Sequence, residues 1–210
     1  MAKRHFISLE GGEGAGKSTQ ARLLAARLRT TTGKEVVLTR EPGGAPGAEA
    51  IRRLLVEGAA DRWSPRAEAL LNYAARDEHL RHTILPALAR GAYVITDRFA
   101  DSTRAYQGIA GGVDADLISA LEQAVIGETW PALTLVLDLA PQAGLDRAAA
   151  RGGGEGRFEA KGLAYHQQLR QAFLSHAAAD PQRCLVIDAQ EDQDIVATKI
   201  WEAVASRLLD

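Results

Sequence analysis

The sequence predicts an α/β fold in which a five-stranded parallel sheet carries helices on both faces. Two observations predict it: short β-rich runs alternate with longer helical patterns, and a glycine-rich stretch joins the first run to the first helical pattern. In order, Phe6 to Leu9 is the first strand, apolar enough to be covered on both faces. The glycines between Gly11 and Gly16 follow, then a helix with apolar residues at Ala21, Leu24, Ala25 and Leu28 that ends before Gly33. Val36 to Thr39 is the second strand, after which the prolines and glycines from Glu41 to Gly47 break the rhythm and read as a loop. Ser64 and Pro65 have the pattern of an N-cap and a first-position proline, opening a long helix toward Gly91 that Pro86 kinks or cuts short. Ala92 to Thr96 is the third strand and Thr134 to Leu139 the fourth. Gly152 to Gly156 then interrupts an arginine-rich helical region, a composition suited to a hinge. Leu185 to Ile187 is the fifth strand and Gln193 to Leu209 a last amphipathic helix.

With 210 residues, 46% of them hydrophobic, the chain fits one domain spanning residues 1–210. Its net charge of −2 provides no general basic field for nucleic acid or an anionic membrane, so any anion site must be local. The lone Cys184, in an apolar strand-like run, reads as a buried structural thiol; one cysteine excludes an intrachain disulfide, which fits a reducing cytoplasm. No run has the length of a signal peptide core or a membrane span.

Gly11-Gly12-Glu13-Gly14-Ala15-Gly16-Lys17-Ser18 spells G-x-x-x-x-G-K-S, a phosphate-binding loop, with Thr19 next in the helix. Closely spaced glycines let backbone N–H groups curl round a β-phosphate, Lys17 reaches the β- and γ-phosphates, the Ser18 hydroxyl can ligate Mg²⁺, and the helix adds its positive end. The pattern implies a nucleoside triphosphate, ATP or a relative. Strands of a parallel sheet deliver their loops to one carboxyl edge, so the segments after strands one to four should gather round this loop. Arg40 and Arg98 sit at such strand ends, suited to clamping a second phosphate; the plain alternatives are a strand cap and an ion pair. Asp97 is either a strand-end cap or an acid that holds Mg²⁺ through water. His79 and His82 share a helix face, but no further ligand at zinc spacing supports a metal there.

Five motifs occur in order: Glu10 to Ser18, Thr39-Arg40-Glu41-Pro42-Gly43-Gly44, Ala74-Ala75-Arg76, Asp97-Arg98-Phe99, and Ser102-Thr103-Arg104-Ala105-Tyr106-Gln107-Gly108. This set resembles the thymidylate kinase family from Glu10 to about Glu159. The resemblance implies a phosphate-loop nucleoside monophosphate kinase fold, ATP and Mg²⁺ as cofactors, and phosphorylation of dTMP to dTDP. It assigns Arg40, Pro42 and Arg98 to the monophosphate side of the substrate site, and Arg76, Thr103 and Gln107 to the thymine. Tyr106 takes the place beside C2′ and Glu13 the place at the sugar 3′-hydroxyl, while Lys17, Ser18 and Asp97 serve the triphosphate and its metal. Where the family commonly stacks a phenylalanine on thymine this chain has Asn72, with Tyr73 next to it: either Tyr73 supplies the stack from a shifted helix or stacking is weakened. Residues 147–159 resemble the family's mobile lid. Because Glu13 stands in the phosphate loop where some relatives carry arginine, the bacterial-type lid must supply the transition-state charge, Arg157 first and Arg151 second. The family also implies a homodimer through the helix after Ser64. Two rivals remain: another nucleotide or nucleoside kinase of this fold, and a non-catalytic NTP-driven switch, against which the missing N-K-x-D signature speaks, since Asn72 is the sole asparagine.

Overall fold

The computed structural model describes residues 5–59, 61–151 and 161–209; for Arg151 it describes the backbone alone. Five strands, β1 (Phe6–Glu10), β2 (Val36–Arg40), β3 (Tyr93–Asp97), β4 (Leu133–Asp138) and β5 (Cys184–Asp188), form one parallel sheet in the order β2-β3-β1-β4-β5. β1 lies at the centre, its Leu9 level with Asp97 of β3 and Leu135 of β4. The carboxyl ends of all five strands therefore share one edge, and the chain crosses from one side of β1 to the other between β3 and β4, the position where doubly wound sheets bind ligands.

Alternation along the strands divides the core. Ile7, Leu9, Ile95, Leu133, Leu135 and Leu137 face the helices α1 (Lys17–Thr32) and α9 (Gln193–Val204), meeting Leu24, Leu28, Ile200 and Val204. Phe6 and Val94 face the other way, onto α3 (Pro65–His79), α4 (Leu85–Ala89) and α6 (Ala115–Val125); Val136 on that side meets α8 (Leu163–Ala179) through Leu169 and Phe173. With both faces covered, the continuous apolar character of the strands is accounted for. Two further helices, α5 (Ala100–Thr103) and α7 (Pro141–Arg151), start just after β3 and β4.

One expectation is corrected. The segment read as a loop to Gly47 becomes helical at Pro46, opening α2 (Pro46–Val56): Pro46 occupies the first turn, where no amide donor is needed, and Ala48 and Leu55 bury one face. The long helix starts at Ser64, whose side chain accepts from the Ala67 amide, and its regular part ends before Pro86, as expected. A wider helical turn over Leu80–Ile84 lies between α3 and α4, with the Leu85 amide donating to the Leu80 carbonyl, and absorbs the proline's missing donor. A similar wide turn, Arg104–Ile109, follows α5. Among the described residues no helix is long and apolar enough to cross a membrane.

Candidate active site

The loop between β1 and α1 takes its shape from glycines in the left-handed region. Gly14 has φ +68°, and a Cβ there would lie 2.0 Å from the Gly144 carbonyl oxygen of α7, so backbone meets backbone where no side chain fits. Lys17, at the start of α1, is buried and turns its Nζ onto the carbonyls of Gly11 (3.1 Å) and Gly12 (2.8 Å). Burial, with Arg98 nearby, draws its pKa below the usual lysine value. Ser18 donates to the Asp97 carboxylate at the end of β3. A hydroxyl and one carboxylate, both hard oxygen donors beside the phosphate loop, fit Mg²⁺, which takes few protein ligands and keeps water. Among the described residues no group of three or more His, Cys, Asp or Glu side chains could hold a metal on its own.

Next to Asp97 stands Arg98, a non-glycine residue at φ +70°. That conformation is costly and is held from three sides: the Arg98 amide donates to Leu9 O (2.9 Å), Thr96 Oγ1 donates to Arg98 O (2.8 Å), and the Phe99 amide donates to Glu10 Oε1 (2.7 Å). Glu10, fully buried, also accepts from Ser102 Oγ at 2.6 Å. The turn aims the Arg98 guanidinium back over the phosphate loop, onto Gly11 O, Ser102 Oγ, both oxygens of Glu13 and the Tyr106 hydroxyl. Tyr106 in turn donates to Glu13 at 2.5 Å. Burial alone would raise the Glu13 pKa, but Arg98, Lys17 and Tyr106 outweigh it and hold the carboxyl at about 2.

Glu13 and Arg98 share a pocket with Pro42, Asn72, Arg76, Thr103, Tyr106 and Gln107. Arg76 is 2% exposed; its Nε donates to Glu41 Oε2 (2.7 Å) and its Nη2 to Thr103 Oγ1 (3.1 Å). Gln107 Nε2 donates to the buried Glu68 at 3.0 Å. Thus the residues expected to serve thymine, sugar and phosphate come together, with two exceptions. Tyr73 does not line the pocket: it is 1% exposed, packs among Phe6, Ile84 and Phe99, and sends its hydroxyl to Glu122 (3.3 Å). The side chain that faces the pocket at this level is Asn72, whose amide is tied to Glu68 O at 2.9 Å. Arg40 lies outside the pocket wall, its guanidinium on both oxygens of Glu49 (3.1 and 3.2 Å), and it is half-exposed.

Several functional contacts were not read from the sequence. Glu41 lay inside a recognised motif as a mere neighbour of Arg40, yet it anchors Arg76. Glu68 lies eight positions before Arg76 with Asn72 midway, a polar stripe at helical spacing that signals a common face. Across the phosphate loop a second depression is lined by Gly14, Ala15, Thr19, Arg147, Gln190 and Asp192, so the loop after β5 also borders the site. Arg147 donates to Ala189 O at 3.1 Å. Arg157 lies outside the described residues, as does the side chain of Arg151 and most of the lid-like segment.

The Thymidylate kinase family model matches residues 9–200. The chain is similar to the thymidylate kinase of Caulobacter vibrioides, 60% identical over 208 residues and 99% of each chain, and to that of a Bradyrhizobium strain, 52% identical over 97% of this chain and 90% of that one. The solved structure of thymidylate kinase from Ehrlichia chaffeensis superposes with a TM-score of 0.78 at 32% identity, covering 95% of this chain and 97% of that one. Motif order, sheet order and likeness over nearly the whole length agree: this chain belongs to the thymidylate kinase family.

Proposed function

We propose that the pocket beside Glu13 and Arg98 receives dTMP and that the phosphate loop holds ATP, so that the site carries out the family's reaction, ATP-dependent phosphorylation of dTMP to dTDP. One observation carries this reading: a buried arginine, Arg76, shares a pocket with the Arg98–Glu13 pair of the phosphate loop. An aromatic base bearing carbonyl acceptors suits the first, and a phosphate with a sugar hydroxyl suits the second.

In this assignment Arg76, Thr103 and Gln107 bind the base, Tyr106 stands beside C2′, Glu13 accepts from the 3′-hydroxyl, and Arg98 holds the acceptor phosphate. Arg40 joins it by exchanging Glu49, a surface pair weak enough to give up, and Pro42 closes that side. Lys17 and the amides from Gly11 to Ser18, with Thr19, hold the triphosphate, and its nucleoside lies in the depression near Arg147 and Asp192. Ser18 and Asp97 would hold Mg²⁺, which supplies charge neutralisation between the donor phosphates. Arg157, with Arg151, supplies further positive charge from a lid at 147–159. The acceptor is a phosphate oxygen whose second pKa is about 6, so it is ionised at neutral pH and asks for no general base. The difficulty is repulsion between anions, which is met by aligned cations rather than proton transfer. We also read the molecule as a cytoplasmic homodimer formed through the Ser64–Gly91 helical run, in which Leu70 and Leu85 are exposed.

ADP release from MgATP, measured with dTMP, dUMP, ribose TMP and dCMP offered separately, tests the assignment. Preference for dTMP is expected, with detectable turnover of saturating dUMP because one methyl group discriminates by only about 10- to 200-fold. Arg157→Ala is expected to lower kcat by about 10²-fold or more with ATP binding intact. Preference for another acceptor would overturn the base assignment, and full turnover by the Arg157→Ala variant would remove the lid arginine from the mechanism.

A further inference from the structure

The guanidinium of Arg76 is held with little freedom. Its Nε is on Glu41 and its Nη2 on Thr103, while the rings of Tyr73 and Phe99 lie 4.6 and 5.1 Å from its central carbon. Among the described residues Nη1 has no hydrogen-bond partner although it is buried, and Arg76 lines the pocket. An unpaired buried donor is expensive to leave so, which points to a ligand acceptor there. Glu41 is itself secured: its second oxygen bonds His79 Nδ1 at 3.0 Å, and His79 Nε2 bonds Thr39 Oγ1 at 2.7 Å. Both Glu41 and His79 are buried, and this chain of contacts runs from the partly buried Thr39 of β2 to the pocket wall.

We propose that Glu41, secured by His79 and Thr39, is a specificity-determining positioning residue: it fixes the orientation of Arg76, so that Nη1, buried and without a partner among the described residues, is offered to the acceptor base at one point. The proposal rests on reading the pocket as the dTMP site. A free guanidinium can turn to whichever carbonyl a base offers, and thymine and cytosine share O2. A locked one meets a single position; if that position is C4 of the base, it meets the O4 acceptor of thymine but an amino donor in cytosine. Discrimination then comes from the lock as much as from the arginine. Among the described residues the Glu41 side chain hydrogen-bonds Arg76 and His79, not Lys17 or Arg98, so loosening the lock is expected to act on base binding and to leave the transfer step in place.

The test is the dTMP to dCMP ratio of kcat/KM, measured on wild type, Glu41→Gln and Thr39→Val, with thermal melts to establish folding. Glu41→Gln keeps the shape and removes the charge; we expect KM for dTMP to rise about tenfold, kcat to stay within about twofold, and the ratio to fall about tenfold. Thr39→Val cuts the far end of the relay and is expected to move the ratio the same way by about two- to threefold. A folded Glu41→Gln variant with an unchanged ratio, or with kcat falling alongside KM at constant ratio, overturns the proposal and leaves Glu41 a structural partner. Should Glu41→Gln fail to fold, the Thr39→Val ratio decides, and no change there overturns it. A wild type that does not prefer dTMP removes the underlying substrate reading, an outcome distinct from a wild-type preference that the variants retain.

Discussion

Glu10, the last residue of β1, and Glu13, three residues on in the phosphate loop, respond to pH in opposite directions. Glu10 is fully buried and lies near the Asp101 carboxylate; both effects raise its pKa, to about 8. Between the ordinary carboxylate range and pH 8 the folded chain therefore holds a proton that the unfolded chain has lost, and stability falls as pH rises through that window. Glu13, kept at about 2 by Arg98 and its neighbours, contributes stability that is fully present above the ordinary range and is lost as pH falls toward 2. Urea midpoints taken from pH 3 to 9 should show both limbs. Glu10→Gln should flatten the alkaline limb, and Glu13→Gln should flatten the acid one. An unchanged alkaline limb in Glu10→Gln would mean that another group titrates there. Cys184 belongs to the same scale but takes no part: burial pushes its thiol up to about 12, which keeps it unreactive.

At the scale of elements, the phosphate loop depends on a helix distant in sequence. Gly144, inside α7, lets that helix approach so closely that a Cβ would lie 2.3 Å from the Glu13 carbonyl oxygen. Alanine is the better helix former by about 1 kcal/mol, so Gly144→Ala should favour α7 locally while pushing the loop away. We expect KM for ATP to rise about tenfold or more, with no gain in melting temperature, because small displacements of positioned groups cost rate steeply. Unaltered ATP kinetics would show that the loop yields without penalty. The wide turns Leu80–Ile84 and Arg104–Ile109 are a second element-scale device. The first lets the helical run continue past Pro86, and the second carries Tyr106 and Gln107.

For the molecule as a whole, a buried ionic cluster ties the sheet to the helices behind the pocket. Arg183, just before β5, donates to both oxygens of Asp101 at 2.7 and 3.0 Å and to Thr134 of β4, while Arg104 pairs with both oxygens of Glu122. The Trp130 ring lies 4.7 Å from the Arg104 guanidinium carbon and 5.0 Å from that of Arg183. Removing one partner strands a buried charge, so Arg183→Met should cost about 3 kcal/mol in urea unfolding and leave KM for dTMP unchanged. A loss below about 1 kcal/mol would class the pair with surface bridges. This cluster has no local sequence signature, because its members lie up to 82 positions apart. By contrast, the five strands, the phosphate loop and the Ser64 cap were legible, since each depends on periodicity or on backbone geometry that a few adjacent residues impose. So were Arg76, Thr103, Tyr106 and Gln107, through motifs that the fold brings into one pocket. Three matters were decided only in three dimensions: that Asn72 rather than Tyr73 faces the pocket, that Arg40 lies on Glu49, and that Glu41 holds Arg76. Adjacent helical residues point about 100° apart, and which of them meets the pocket depends on how α3 docks against the sheet. Local pattern determined the elements and the chemistry-bearing residue types, while docking of the elements determined which side chains face one another, because partners remote in sequence become neighbours only through packing.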